Sequence, residues 1–170
     1  MTYKNSFIAC ICICTLSILS SCKSSAPQLD YAALAKASSQ LGIEIDYHDN
    51  AQLYMESAQW LGTPYRNGGT TKRGVDCSGF TQSIYQSVYH TKLKRTTQAQ
   101  KKQAKRVGKR SLREGDLVFF SSKRSRRKVA HVGVYLKNNL FIHASSSRGV
   151  IVSNLNSTYY KRHWLHGGRI

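Results

Sequence analysis

Hydrophobic positions divide the chain into three stretches of different period. From Phe7 to Leu19 the run FIACICICTLSIL is almost uniformly apolar, and its 13 residues fall short of the ~20 that a helix needs to span a bilayer. It follows the single base Lys4 and precedes small residues, which is the pattern of a signal-peptide core. The next stretch has helical spacing. Leu29, Ala33, Leu34, Ala37 and Leu41 share one face and Gly42 stops the pattern; AQLYMESAQWLG, residues 51–62, follows Asp49 or Asn50 as cap; and in CSGFTQSIYQSVYH, residues 77–90, Phe80, Ile84 and Val88 recur every four. Between these helices, IEID (43–46) alternates as a short strand does, and TPYRNGGTTKRG (63–74) is rich in turn residues. From Asp116 the period falls to two, and DLVFF (116–120), HVGVYL (131–136), LFIHAS (140–145) and GVIVSNL (149–155) read as strands, with KNN (137–139) as a hairpin turn.

Helices followed by strands predict an α+β domain with an antiparallel sheet. On the second strand Val132, Val134 and Leu136 share a face, while His131, Gly133 and Tyr135 share the other; His143 lies with Phe141. Pairing the two strands would set both imidazoles side by side, pointing toward the helix that carries Cys77.

The cysteines change the picture of the N-terminus. Leu19-Ser20-Ser21-Cys22 resembles a bacterial lipobox, in which Cys22 is lipidated and the chain is cut before it. This predicts a lipoprotein signal peptide over 1–21, a lipidated tether over 22–28, an extension over 29–48 and a main domain over 49–170. Lys23 stands where a retention signal for the inner membrane would show aspartate, so the expected location is the outer membrane, facing the periplasm. Several acyl chains on one residue anchor firmly, because each buried CH₂ contributes about 0.8 kcal/mol.

With the signal gone and Cys22 acylated, Cys77 is the only thiol left of the 5 cysteines. An intrachain disulfide is excluded, and no CxxC or HxxxH spacing flanks it to form a zinc site. An inert core cysteine, an intermolecular disulfide and a nucleophile remain. A place in the first turn of a helix favours a thiolate and predicts a lowered pKa. A nucleophilic thiol needs a base and a group that orients the base, and His131 and His143 are of the right type. His48, His90, His163 and His166 lie in predicted loops or near the C-terminus, and read as surface or satisfied core residues.

Charge narrows the partners. The chain has 26 Lys and Arg against 8 Asp and Glu; removal of Lys4 with the signal leaves 25 against 8, a formal +17. After Asp76 the only acids are Glu114 and Asp116, while twenty bases lie between Lys92 and Arg169. Phosphate neutralisation would suit nucleic acid, but an exported protein rarely meets it, and the basic runs lack the interleaved aromatics that stack bases. Anionic polymers and lipid headgroups of the envelope fit better; solvated basic loops are the plain alternative.

The ordered blocks LGTPYRNGG, GVDCSGF, LKRTTQAQ, REGDLVFF, AHVGVYL, FIHASSSRGV and GGRI resemble the NlpC/P60 family of cell-wall cysteine peptidases. The resemblance runs from about Asp49 to Ile170. It implies a papain-like fold, with a cysteine helix on a central antiparallel sheet, and hydrolysis of peptidoglycan stem peptides, with no metal or cofactor. By similarity Cys77 is the nucleophile, His131 the base and then acid, and His143 the residue that orients His131. Tyr65 matches the family tyrosine beside the nucleophile and oxyanion. Asp76 and Ser78 match positions that grip the free amino end of the stem peptide, although capping the helix suits both equally well. Arg95 and Gln98 are expected to pack or to fix a loop. The family's proline before Gly-Asp is replaced by Glu114. The rival reading is a non-catalytic envelope lipoprotein that binds peptidoglycan or polyanions.

Overall fold

The computed structural model describes residues 30–122 and 124–170. The expected signal peptide, Cys22 and the tether lie outside the described residues.

Three helices come first. Helix α1 (Tyr31–Leu41) is capped by the Asp30 carboxylate, which accepts the Ala33 N–H, and ends at Gly42 in the left-handed region. Helix α2 (Ala51–Trp60) is capped by Asn50. The expected strand over 43–46 does not form: the segment is an extended connection without a ladder partner, and its alternation reflects the burial of Ile43 against the core. After a short hairpin, β1 (Thr70–Thr71) and β2 (Gly74–Val75), comes α3 (Cys77–Tyr89). Phe80 and Ile84 on α3 are fully buried, as their spacing predicts.

The basic run after α3 is structured. It forms α4 (Thr97–Gln103) and β3 (Lys105–Val107), which no apolar period announces because Gln, Lys and Arg fill most of their positions. Strand β3 is one of the two edge strands of the main sheet, where exposed Lys105 and Arg106 discourage further pairing. The remaining strands are β4 (Leu117–Ser121), β5 (Val129–Tyr135), β6 (Leu140–Ser145), β7 (Gly149–Asn154) and β8 (Trp164–Arg169), with α5 (Thr158–His163) before β8. They form a six-stranded antiparallel sheet in the order β3-β8-β4-β5-β6-β7. Asn138 and Asn139 both take positive φ in the β5–β6 turn, as a tight two-residue hairpin requires.

Alternation gives the sheet two apolar faces. Leu117, Phe119, Val132, Val134, Ile142 and Ala144 meet α3 and the N-terminal helices in one core. Val118, Phe120 and Phe141 face the other way, toward Leu155, Tyr160 and Trp164. Ala37, Leu41 and Ile43 belong to the first core, so the described part of the expected extension, residues 30–48, is packed onto the rest of the fold. Glu114 ties the layers together: its carboxylate accepts the Asn50 N–H at 2.9 Å and the Tyr54 hydroxyl.

Candidate active site

Cys77 begins α3 because Asp76 caps it, one carboxylate oxygen accepting the Gly79 N–H at 2.6 Å. The same carboxylate takes Arg95 in a two-pronged pair at 3.0 and 2.7 Å, the Ser78 hydroxyl at 3.0 Å and the Gly68 N–H at 3.0 Å. Arg95 also donates to Ser78 Oγ at 2.9 Å. Asp76 and Ser78 are therefore occupied as a clamp that joins the cap, the 63–74 loop and the segment before α4. Arg95 does fix a loop, and Asp76 stays ionised because its hydrogen bonds outweigh burial and hold its pKa below the usual carboxylate value. Gln98 is exposed; the buried glutamine is Gln100, which donates to the Ser78 carbonyl at 3.0 Å and accepts from the Thr81 hydroxyl at 2.8 Å.

Strands β5 and β6 bring the histidines together. His131 Nε2 and His143 Nδ1 are 2.8 Å apart, with the rings perpendicular. A bulge in β5 helps to aim His131: His131 pairs with Phe120 and Val129 with Ser121, which leaves Ala130 without an opposite residue. Gly133 leaves room for β6, since a Cβ there would meet the Ile142 carbonyl at 2.8 Å, the Phe141 ring at 2.9 Å and His143 Cβ at 3.0 Å. The expected direction needs correction. Both imidazoles lie on the sheet face away from the body of α3, with Phe120 and Phe141, and not on the face that packs the helix.

A gap in the sheet reconciles the two sides. The β5–β6 ladder pairs only Val134 with Ile142 and Tyr135 with Phe141, then opens. Even-numbered β5 residues turn their N–H groups toward β6, so the opening leaves the Val132 N–H without a strand partner. That N–H faces the Cys77 sulfur and favours its charged form. The sulfur therefore lies in the gap, at the peptide that follows His131, and is 3.5 Å from the Thr97 hydroxyl. Nothing in the sequence pattern announced Thr97. Tyr65, paired to Val75 by an isolated bridge, is half-buried beside this group, and burial, with Cys77 and Asp76 adding to it, raises its phenol pKa.

Electrostatics overturn the expected thiolate. Burial pushes the Cys77 thiol up, and Asp76 adds to the rise; the Thr97 hydroxyl and the N–H groups of Val132 and Ser78 pull downward but do not win. Cys77 is only 7% exposed, so lost hydration outweighs the helix terminus. Burial also lowers His131 to about 4 and, with help from His131 and Arg148, holds His143 well below the ordinary imidazole value. The resting site thus contains a neutral thiol and two neutral rings. Alkylation at Cys77, followed on its peptide by mass spectrometry, is expected to rise only through alkaline pH, with a midpoint above the ~8.5 of free cysteine. A reactive plateau in acid would mean a preformed ion pair and contradict this assignment.

The other histidines do not join the site. His48 and His90 are exposed. His163 is buried against Ser121, and His166 is on β8, not in a loop, with its Nδ1 2.7 Å from the Gly167 carbonyl oxygen.

A cysteine at a helix start, beside two histidines on an antiparallel sheet, matches what comparison with other proteins finds. Residues 62–169 match the model of the NlpC/P60 family. The chain belongs to the NlpC/P60 family. Within it, the chain is 46% identical over 112 residues to an NlpC endopeptidase homologue of Haemophilus influenzae, and 43% identical over 113 residues to the murein DD-endopeptidase/LD-carboxypeptidase MepS of Escherichia coli. Each match covers 66% of this chain and 58% of the relative's own length. An NlpC/P60 crystal structure from Bacillus cereus aligns with TM-score 0.66 and 31% identity, over 74% of this chain and 41% of that one. The helix-on-sheet architecture is the papain-like one of NlpC/P60 structures.

Proposed function

We propose that this NlpC/P60 chain is a peptidoglycan endopeptidase that hydrolyses amide bonds of stem peptides through Cys77, His131 and His143. The observation that carries the reading is the 2.8 Å contact between the imidazoles, next to a sulfur held in the β5–β6 gap. His131 Nε2 is engaged by His143, so its Nδ1 is the nitrogen available to take the thiol proton as sulfur attacks the carbonyl. The backbone N–H of Cys77 and the Tyr65 phenol receive the oxyanion. His131 then protonates the leaving amine, and the acyl-enzyme is hydrolysed by water that His131 activates. Because both groups start neutral, proton transfer accompanies attack and no charge pair is stored beforehand.

The bond proposed is that between γ-D-glutamate and meso-diaminopimelate; the name of the E. coli relative points instead to the D,D-crosslink. With Arg95 seated on Asp76, recognition of the substrate ammonium by Asp76 and Ser78 requires Arg95 to move aside. Lipid on Cys22 would hold the domain at the outer membrane, facing the periplasm. The basic surface would draw it to anionic envelope polymers, and includes a concavity of about 470 Å³ lined by Arg126, Thr158, Tyr159, Arg162 and His163.

Purified peptidoglycan incubated with the protein and with Cys77→Ala tests the reading. New amino ends are expected with the unmodified protein only, and product masses from defined muropeptides identify the bond. Equal release by both proteins, or by neither, would favour the non-catalytic binding lipoprotein.

A further inference from the structure

His143 makes one contact toward His131 and two away from it. Its Nε2 is 3.0 Å from Ser153 Oγ on β7 and 2.9 Å from Tyr160 Oη on α5. The Ser153 hydroxyl and the Arg148 guanidinium, from the β6–β7 turn, both donate toward the Tyr160 oxygen and favour its charged form. Phe141 stacks on the ring with centroids 4.9 Å apart. The polar groups that face His143 are thus His131 from β5, Arg148 from the turn, Ser153 from β7 and Tyr160 from α5. No carboxylate hydrogen-bonds to this ring among the described residues.

A neutral imidazole carries one N–H, and its partners decide which nitrogen holds it. For His131 Nδ1 to accept the thiol proton, His131 Nε2 must carry its hydrogen and donate it to a bare His143 Nδ1. His143 must then carry its own hydrogen on Nε2. The opposite tautomer would donate from His143 Nδ1 to His131 Nε2, which puts the His131 hydrogen on Nδ1 and closes the acceptor.

Resting on the cysteine-hydrolase reading above, the geometry points to Ser153 and Tyr160 as positioning residues: their oxygens accept the His143 Nε2–H and lock both rings in the tautomer that keeps His131 Nδ1 open. In this network Ser153 Oγ accepts the Nε2–H and passes its own hydrogen to the Tyr160 oxygen, which the Arg148 guanidinium also bonds. The Arg148 cation also opposes a positive charge on His143, so the proton taken from sulfur stays on His131, ready for the leaving amine.

The test uses the full-length chain in detergent and soluble muropeptides. Tyr160→Phe and Ser153→Ala are each expected to lower kcat about tenfold with KM unchanged, as for one lost hydrogen bond. The double variant should lose about a hundredfold or more, toward the ~10⁴-fold loss that follows when a catalytic histidine holds the wrong tautomer. In long-range ¹H–¹⁵N spectra His143 is expected to be protonated at Nε2 alone, and to become a tautomer mixture in the double variant. Ser153→Thr in the Tyr160→Phe background, which keeps a hydroxyl, should restore kcat to that of Tyr160→Phe alone. An unchanged tautomer in the double variant, or no rescue by threonine, would overturn the proposal; if the double variant does not fold, the single variants carry the same two readouts. Because the tautomer is read without turnover, this outcome is separate from that of Cys77→Ala, which tests the cysteine-hydrolase reading itself.

Discussion

Replacing His131 by alanine is expected to lower kcat/KM on muropeptides by at least about 10⁴-fold, since members of a nucleophile–base pair act as a unit and loss of either removes most of the chemistry. The physical reason is specific to this site. Burial raises the Cys77 thiol, so at neutral pH the sulfur is protonated more fully than in a free cysteine and cannot attack unless a base takes the proton during the step. A second readout separates this from a site that stores an ion pair. In an ion-pair site, removal of the imidazolium raises the thiol pKa. Here His131 is neutral at rest, its own pKa lowered by burial to about 4, so the alkylation midpoint of Cys77 in His131→Ala should not rise. A raised midpoint, or kcat/KM within tenfold of the unmodified protein, would refute the assignment.

The second large effect is on stability. Asp76→Ala removes the cap of α3, the bidentate partner of Arg95 and the acceptor of the Gly68 N–H together. A lost cap costs about 1 kcal/mol and a charge-assisted hydrogen bond about 1.5–3. Arg95 is 39% exposed and can rehydrate, so the expected loss is about 2–3 kcal/mol, measured by denaturant unfolding. The sign of the pH dependence follows from the carboxylate. Its folded-state pKa lies below the usual value, so its contribution is present above the unfolded pKa of about 4 and disappears as pH falls through the folded one. Asp76→Ala should therefore flatten the acid limb of the stability curve, and a limb of unchanged steepness would refute the clamp.

Much of this architecture was readable from period alone. The three helices before the sheet, four of the strands and the Asn-rich turn follow from apolar spacing, and His131 and His143 meet because alternation puts them on one face. The failures share a cause, since each needed information that period does not carry. Residues 43–46 alternate because Ile43 fills a gap in the core, not because the backbone has a ladder partner. Helix α4 and β3 are hidden because Gln, Lys and Arg occupy most of their positions. The state of the thiol is not legible because a helix terminus is visible in a sequence and the depth of burial is not. Family motifs pointed to Asp76 and Ser78, but only coordinates reveal that Arg95 already saturates them. Ser153 and Tyr160 carry no local signal at all; they reach His143 from β7 and α5 by tertiary packing.

The interrupted β5–β6 ladder sets a trade-off between rigidity and reactivity. Each further rung between these strands would add hydrogen bonds and stiffen the hairpin, yet the first one added would claim the Val132 N–H and evict the sulfur from its seat. Consensus stabilisation of this region should therefore stop at Val134, and a thermostable variant with the strands zipped shut would be a better-folded protein with nowhere to place its nucleophile.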